Sequence, residues 1–161
     1  MSVHVVATAG HVDHGKSTLV RALTGMEPDR WEEERRRGLT IDLGYAWTAL
    51  PSGRDVAFVD VPGHERFLGN MLAGLGPAPV VCFVVAVDEG WQAQSGDHRD
   101  AVAALGIEHG VVVQMVWRRA SRPRGQGLQS HLRLWAGTTC ARTYHYLVCQ
   151  DGQIQSRWSR W

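Results

Sequence analysis

The residues with the most chemistry in them stand near the start of the chain, in Gly10-His11-Val12-Asp13-His14-Gly15-Lys16-Ser17-Thr18. Glycine, four residues, glycine, lysine and a hydroxyl is the spacing of a phosphate-binding P-loop. The glycines let the backbone curl until its N–H groups converge on phosphate oxygens, and a following helix adds the positive end of its dipole. Lys16 then neutralises the β- and γ-phosphates of a nucleotide, and the Ser17 hydroxyl supplies a ligand for Mg²⁺. Gly10 through Thr18 is therefore the candidate nucleotide-binding stretch.

A second constellation is Asp60-Val61-Pro62-Gly63-His64, which follows the strand-like run Val56–Val59. Ligands of open α/β sheets bind beyond the carboxyl ends of the strands, so Asp60 and the P-loop can converge on one phosphate and one metal ion. Asp60 is a Mg²⁺ ligand through a water, and the Gly63 N–H is placed to sense a γ-phosphate. By itself Asp-x-x-Gly is an ordinary turn, and His64 an exposed loop histidine. Thr40 lies between the two motifs on a segment able to close over a nucleotide, which makes it a second Mg²⁺ ligand when the γ-phosphate is present. It also reads as a plain strand-edge threonine. Just before it, Glu32–Arg37 pairs Glu32 with Arg36 and Glu33 with Arg37 at i,i+4, the pattern of a solvated helix turn that a switch segment can contain.

These residues need strands and helices to hold them. Val3–Ala9 is an apolar run ending in glycine, and Lys16–Thr24 carries Leu19, Val20 and Leu23 on one helical face before Gly25. Leu43–Ala49 and Val56–Val59 are strand-like and joined by Pro51-Ser52-Gly53. Val80–Val87 is apolar throughout, as a strand buried on both faces is. Gln92–Leu105 is amphipathic, and Gly110–Val113 opens another strand. The alternation predicts an α/β fold with a mostly parallel sheet. At 161 residues and 44% apolar content the chain has room for one core. Three cysteines without regular spacing fit a reducing cytosol. No signal-peptide pattern opens the chain, and its longest apolar run falls far short of the ~20 residues that span a bilayer, so no membrane role is expected. The net charge of +1 hides an asymmetry: residues 114–161 hold eight arginines against Asp151, while the other carboxylates all precede them.

The stretches ThrAlaGlyHisValAspHisGlyLysSer (8–17), ArgGlyLeuThrIleAspLeuGlyTyr (37–45) and AspValProGlyHisGluArgPheLeu (60–68) resemble the translational GTPases. Within them, Asp42-Leu43-Gly44-Tyr45 and Asn70-Met71-Leu72-Ala73-Gly74 resemble the selenocysteine-specific elongation factors of the SelB type. The resemblance spans residues 3–113 and implies a P-loop NTPase domain that hydrolyses GTP to GDP with Mg²⁺. It implies a cytoplasmic setting with selenocysteyl-tRNA and the ribosome as partners. It makes His64 the catalytic residue that orients the attacking water, assigns Lys16, Ser17 and Thr40 to phosphate and Mg²⁺, and puts Asp13 near the phosphates.

The resemblance stops at Val113. The family follows its fifth strand with Asn/Thr-Lys-x-Asp, which reads guanine; here Gln114-Met115-Val116-Trp117 follows, and the only lysine of the chain is Lys16. No counterpart of the later guanine-site loop or of the tRNA- and mRNA-binding domains is recognisable. Two parts are therefore expected: 1–113, a GTP-binding domain incomplete at its C-terminal side with its fifth strand left as a bare edge, and 114–161, a basic Arg/Trp-rich tail without recognisable fold. Two alternatives stand beside a working GTPase. One is a truncated or frameshifted piece lacking guanine specificity and activity, since an aperiodic tail rich in Arg, Trp, Gly and Ser is what GC-rich DNA gives out of frame. The other is an RNA-binding module whose tail arginines contact phosphates and whose aromatics stack on bases.

Overall fold

The computed structural model describes residues 3–37, 39–116, 143–150 and 153–156. In chain order these form β1 (Val3–Ala9), α1 (Lys16–Thr24), α2 (Glu32–Arg37), β2 (Gly44–Ala49), β3 (Asp55–Asp60), a single turn of 3₁₀ helix (Glu65–Phe67), α3 (Leu68–Leu75), β4 (Val80–Ala86), α4 (Ala93–Ala104), β5 (His109–Val116), β6 (Thr143–Gln150) and β7 (Gln153–Ser156). The strands form one sheet in the order β2-β3-β1-β4-β5-β6-β7. β1 pairs in parallel with β3 and β4, β4 with β5 and β5 with β6, while β2–β3 and β6–β7 are antiparallel. The mostly parallel α/β architecture expected from the alternation is present. Among the described residues no helix is long and apolar enough to cross a membrane.

The period of two in β4 explains how the layers assemble. Val81, Phe83 and Val85 join Val59, Val61, Met71, Leu75, Val102 and Val112 in the core beneath α3 and α4. Cys82 and Val84 turn to the opposite face and pack with Leu19 of α1, Val113 and Met115. A strand with helices on both faces has no side that tolerates a polar residue, which is why Val80–Val87 reads as unbroken apolar sequence. The Phe83 ring, fully buried, stacks on Trp91 with centroids 5.2 Å apart.

The C-terminal side departs from expectation at the level of strands. β5 does not stop at Val113 but runs to Val116, and β6 lies along it in parallel from His109↔Thr143 to Val116↔Gln150. The β5 edge is therefore covered. Thr143–Gln150, Thr-Tyr-His-Tyr-Leu-Val-Cys-Gln, is dense in aromatic and branched residues that favour a pleated surface. That local signal is too short to register as a sustained period in an Arg-rich background. The remainder of the expected tail, 117–142, 151–152 and 157–161, lies outside the described residues.

Truncating the side chain at the centre of the larger core tests this packing. Phe83→Ala is expected to lower stability by about 3–5 kcal/mol, read as a lower urea midpoint at unchanged slope with Trp91 fluorescence as a local probe.

Candidate functional site

The loop between β1 and α1 is held in its curl by backbone geometry that few sequences permit. Gly10, Asp13 and Gly15 have φ of 128°, 62° and 88°. A Cβ on Gly10 would run into the Val84 carbonyl, so only glycine lets the loop leave β1 this close to β4. The Gly10 N–H donates to His98 Nδ1 at 3.1 Å, which fastens the loop to α4. Lys16 opens α1 and is almost wholly buried; its Nζ donates to the His11 carbonyl at 2.8 Å. Burial pushes the ammonium down to about 8, against the opposing pull of Asp60, Asp13 and Asp29.

β3 brings Asp60 to the same end of the sheet because its neighbour in the parallel register is β1, the strand that feeds the loop. Thr8 Oγ1 donates to Asp60 Oδ1 at 2.7 Å and accepts the Val61 N–H at 3.0 Å, bolting the two strand ends together. Asp60 Oδ2 is buried without a hydrogen-bond partner. Burial pushes this carboxyl up, opposed by the nearby Ser17 hydroxyl, the charge of Lys16 and the Thr8 hydroxyl. Ser17 Oγ stands 3.0 Å from Thr40 Oγ1, which also donates to Asp29 Oδ1 at 3.2 Å. Asp29 is raised to about 6, first by burial and then by the charge of Asp60. A Cβ on Gly63 would collide with Lys16 Nζ and the Val12 nitrogen, so the backbone after β3 lies directly against the loop.

A cleft of about 450 Å³ opens here, lined from the loop by Val12, Asp13, Gly15, Lys16, Ser17 and Thr18, and across from it by Asp29, Thr40 and Gly63. Two hydroxyls and an unsatisfied carboxylate oxygen make an all-oxygen donor set. Such a set fits a hard cation like Mg²⁺ that completes its shell with phosphate oxygens and water.

Not every residue of the motifs faces the cleft. The Gly10 N–H is spent on His98, and His11 contributes its carbonyl to Lys16. His14 is fully buried beneath the loop, edge-on to His11 at 5.0 Å, with Nε2 3.4 Å from Glu89 Oε2. His64 caps the 3₁₀ turn, its Nδ1 accepting the Arg66 N–H at 3.2 Å. It lines a neighbouring groove between α3 and α4 with Leu68, Leu72, Asp97 and His98, and Gly63 borders both cavities.

Two residues that sequence reasoning passed over prove central to the geometry. One is His98, the anchor of Gly10. The other is Glu34, 1% exposed although it belongs to the run expected to be solvated. Its carboxylate accepts backbone N–H groups on both sides of the segment that carries Thr40. Nothing in the local pattern flags either residue, because their partners are backbone groups that only the fold brings near.

The sequence pattern described as the elongation factor Tu GTP binding domain matches residues 1–116. A selenocysteine-specific elongation factor of Escherichia coli (strain K12) is 57% identical over 94 residues, which cover 58% of this chain and 15% of that protein. One of Desulfomicrobium baculatum is 45% identical over 108 residues, 67% of this chain and 17% of that protein. This chain thus spans about a sixth of the length of these relatives. Among solved structures, the bacterial selenocysteine-specific elongation factor EF-Sec superposes with a TM-score of 0.79 at 34% identity, covering 92% of this chain and 26% of that one.

The histidines behind the loop give the fold a pH dependence of definite sign. Burial lowers His14 to about 4, helped by the charges of His11 and Lys16, and lowers His98 to about 3, helped by Lys16. The unfolded chain takes up both protons near 6.5 while the native state refuses them. Stability is therefore whole above about 6.5 and falls by about 1.4 kcal/mol per pH unit for each histidine as pH drops toward 4. His98→Asn keeps an acceptor for the Gly10 N–H without a titrating ring. Urea unfolding between pH 7 and 5 is expected to show a slope shallower by one proton in that variant.

Proposed function

The chain belongs to the elongation factor Tu GTP-binding domain family, and from that premise we propose that its cleft binds GTP with Mg²⁺ and hydrolyses it to GDP, as the G domain of a selenocysteine-specific elongation factor. The observation that carries this reading is that buried Lys16 and the Ser17–Thr40 hydroxyl pair line one cleft, with Asp60, its Oδ2 buried and unpartnered, close beside Lys16 and Ser17. Positioning and electrostatics, not a covalent intermediate, do the chemistry. Lys16 exchanges the His11 carbonyl for β- and γ-phosphate oxygens. Ser17, Thr40 and Asp60 are the residues that would hold the metal. Mg²⁺, when bound, would offset the negative charge on the phosphates. The Gly63 N–H meets the γ-phosphate. His64 orients the attacking water, and reaching it means leaving the α3–α4 groove for the cavity that Gly63 also borders.

By the same reading residues 1–113 carry the nucleotide step and 114–161 contribute none of it. The assembled protein then works in the cytoplasm with selenocysteyl-tRNA and the ribosome as partners. Base recognition is where this chain parts from its family. Gln114, Met115 and Val116 continue β5, and Met115 is buried in the core with Leu19 and Val84. The carboxylate and lysine that grip guanine in the family are not supplied there.

Two titrations test the reading with a fluorescent GTP analogue. Lys16→Ala is expected to abolish binding. Ser17→Ala is expected to weaken it chiefly when Mg²⁺ is present, since one change removes the charge and the other a ligand. Unchanged affinity in the Lys16 variant overturns the assignment. Losing a bidentate guanine contact costs roughly 3–6 kcal/mol, or about 10²–10⁴ in affinity. Unlabelled ATP is therefore expected to compete within about a hundredfold of GTP.

A further inference from the structure

The segment that presents Thr40 is fixed by a carboxylate that belongs neither to the P-loop nor to the metal set. Glu34 is the third residue of α2, and its Oε2 accepts the Trp31 N–H at 3.0 Å, reaching back to the residue before the helix as an N3 glutamate does. Its Oε1 accepts two further N–H groups, from Ile41 and Asp42, both at 2.9 Å. One side chain therefore ties the start of α2 to the two residues that follow Thr40. The Leu39 N–H adds a bond to the Glu34 carbonyl at 3.2 Å. On the far side Asn70 of α3 donates to the Ile41 carbonyl at 3.1 Å. Thr40 itself is held through its hydroxyl, by Ser17 and Asp29.

We propose that Glu34 is a positioning residue, a latch that closes the loop onto the P-loop and sets the Thr40 hydroxyl beside Ser17. This rests on the reading of the cleft as a GTP site. The argument is one of donor counting. Three backbone N–H groups converge on one buried carboxylate, and hydrogen bonds to a charged acceptor are about twice as strong as neutral ones. A glutamine cannot replace it. Whichever way its amide is turned, an NH₂ group faces an N–H, on the Trp31 side or on the Ile41–Asp42 side. An aspartate lacks the methylene needed to reach both. Ordering the loop before nucleotide arrives removes an entropic cost from binding, and only ligands that engage Thr40 benefit. A nucleoside triphosphate with Mg²⁺ benefits and a diphosphate does not. Asn70 ties the same loop to the helix that follows Asp60, Gly63 and His64, so the latch and the γ-phosphate sensor share a support.

The experiment compares Glu34→Gln with the unmodified chain in two measurements. Amide hydrogen exchange without nucleotide is expected to speed up at residues 39–42 by about tenfold or more, while β1 and β4 stay protected; equal exchange at 39–42 overturns the latch. Binding with Mg²⁺ is expected to weaken by about ten- to hundredfold for a non-hydrolysable GTP analogue and to stay within about twofold for GDP. Adding Thr40→Ala to Glu34→Gln is expected to cost little more than either alone, because both act on one contact. Equal losses for the two nucleotides, or additive effects, overturn the positioning role. If the unmodified chain binds neither nucleotide, the GTP-site reading fails, and the exchange measurement still decides whether Glu34 closes the loop.

Discussion

One buried ammonium organises the cleft. Lys16 sits at the first turn of α1 with almost no exposure, and its charge must be answered from within the protein. The His11 carbonyl, Asp60, Asp13 and Asp29 supply that answer, and they come from three stretches of chain: the loop, the end of β3 and the segment after α1. The loop must curl so that the His11 carbonyl points inward, β3 must lie beside β1 so that Asp60 arrives at the same level, and the segment after α1 must fold back to bring Asp29. The positive φ at Asp13, a conformation that costs about 1–2 kcal/mol for a residue with a Cβ, is part of what this arrangement holds in place.

The supports beneath the loop are neutral hydrogen bonds made by groups that could have carried charge. His98 accepts from Gly10 through Nδ1, which requires an unprotonated ring nitrogen, and burial beside Lys16 keeps it so. His14 is kept neutral by the same burial and by the same positive charge. A cationic site thus protects its own scaffold from protonation. Thr8 serves the same economy with one hydroxyl that donates to Asp60 and accepts from Val61, while the second carboxylate oxygen stays buried without a partner.

How much of this was legible in the sequence follows from the range of each interaction. The P-loop and the Asp60–Gly63 turn were readable because residue type and local spacing dictate their chemistry; that Thr40 lies against Ser17, 23 residues away, is shown only by the fold. The strands up to β5 were readable because short apolar or alternating runs between turn residues mark them, β4 most clearly, since burial on both faces imposes an unbroken apolar run. Glu34 was hidden inside a charge run whose i,i+4 spacing describes a solvated surface, and its true partners lie seven and eight residues on. His98 was hidden because its partner is a backbone N–H 88 residues away. α3 was not marked out as a helix because its Leu-Gly-Asn-Met-Leu-Ala-Gly-Leu sequence carries two glycines, residues that weaken helix propensity; packing overrides this, since a Cβ on Gly74 would press on Leu43 and Val61. β6 was masked by arginines around it, although its own eight residues favour a strand.

The same geometry separates phosphate binding from base binding. Every contact that shapes the phosphate side is made by residues that precede Val113: Thr8 with Asp60, Gly10 with His98 and against Val84, Lys16 with His11 and Glu34 with Ile41 and Asp42. These belong to β1, β3, β4, α1, α2 and α4 and the loops between them. β5 stands one strand beyond β4, and Gln114–Val116 are engaged in pairing with β4 on one side and β6 on the other. A change of sequence after Val113 therefore leaves these hydrogen bonds in place, while Met115 still packs behind the loop on Leu19 and Val84. The hydrogen bonds that shape the cleft beside Lys16 are thus made by the chain up to α4, and no backbone or side-chain group of β5 takes part in them.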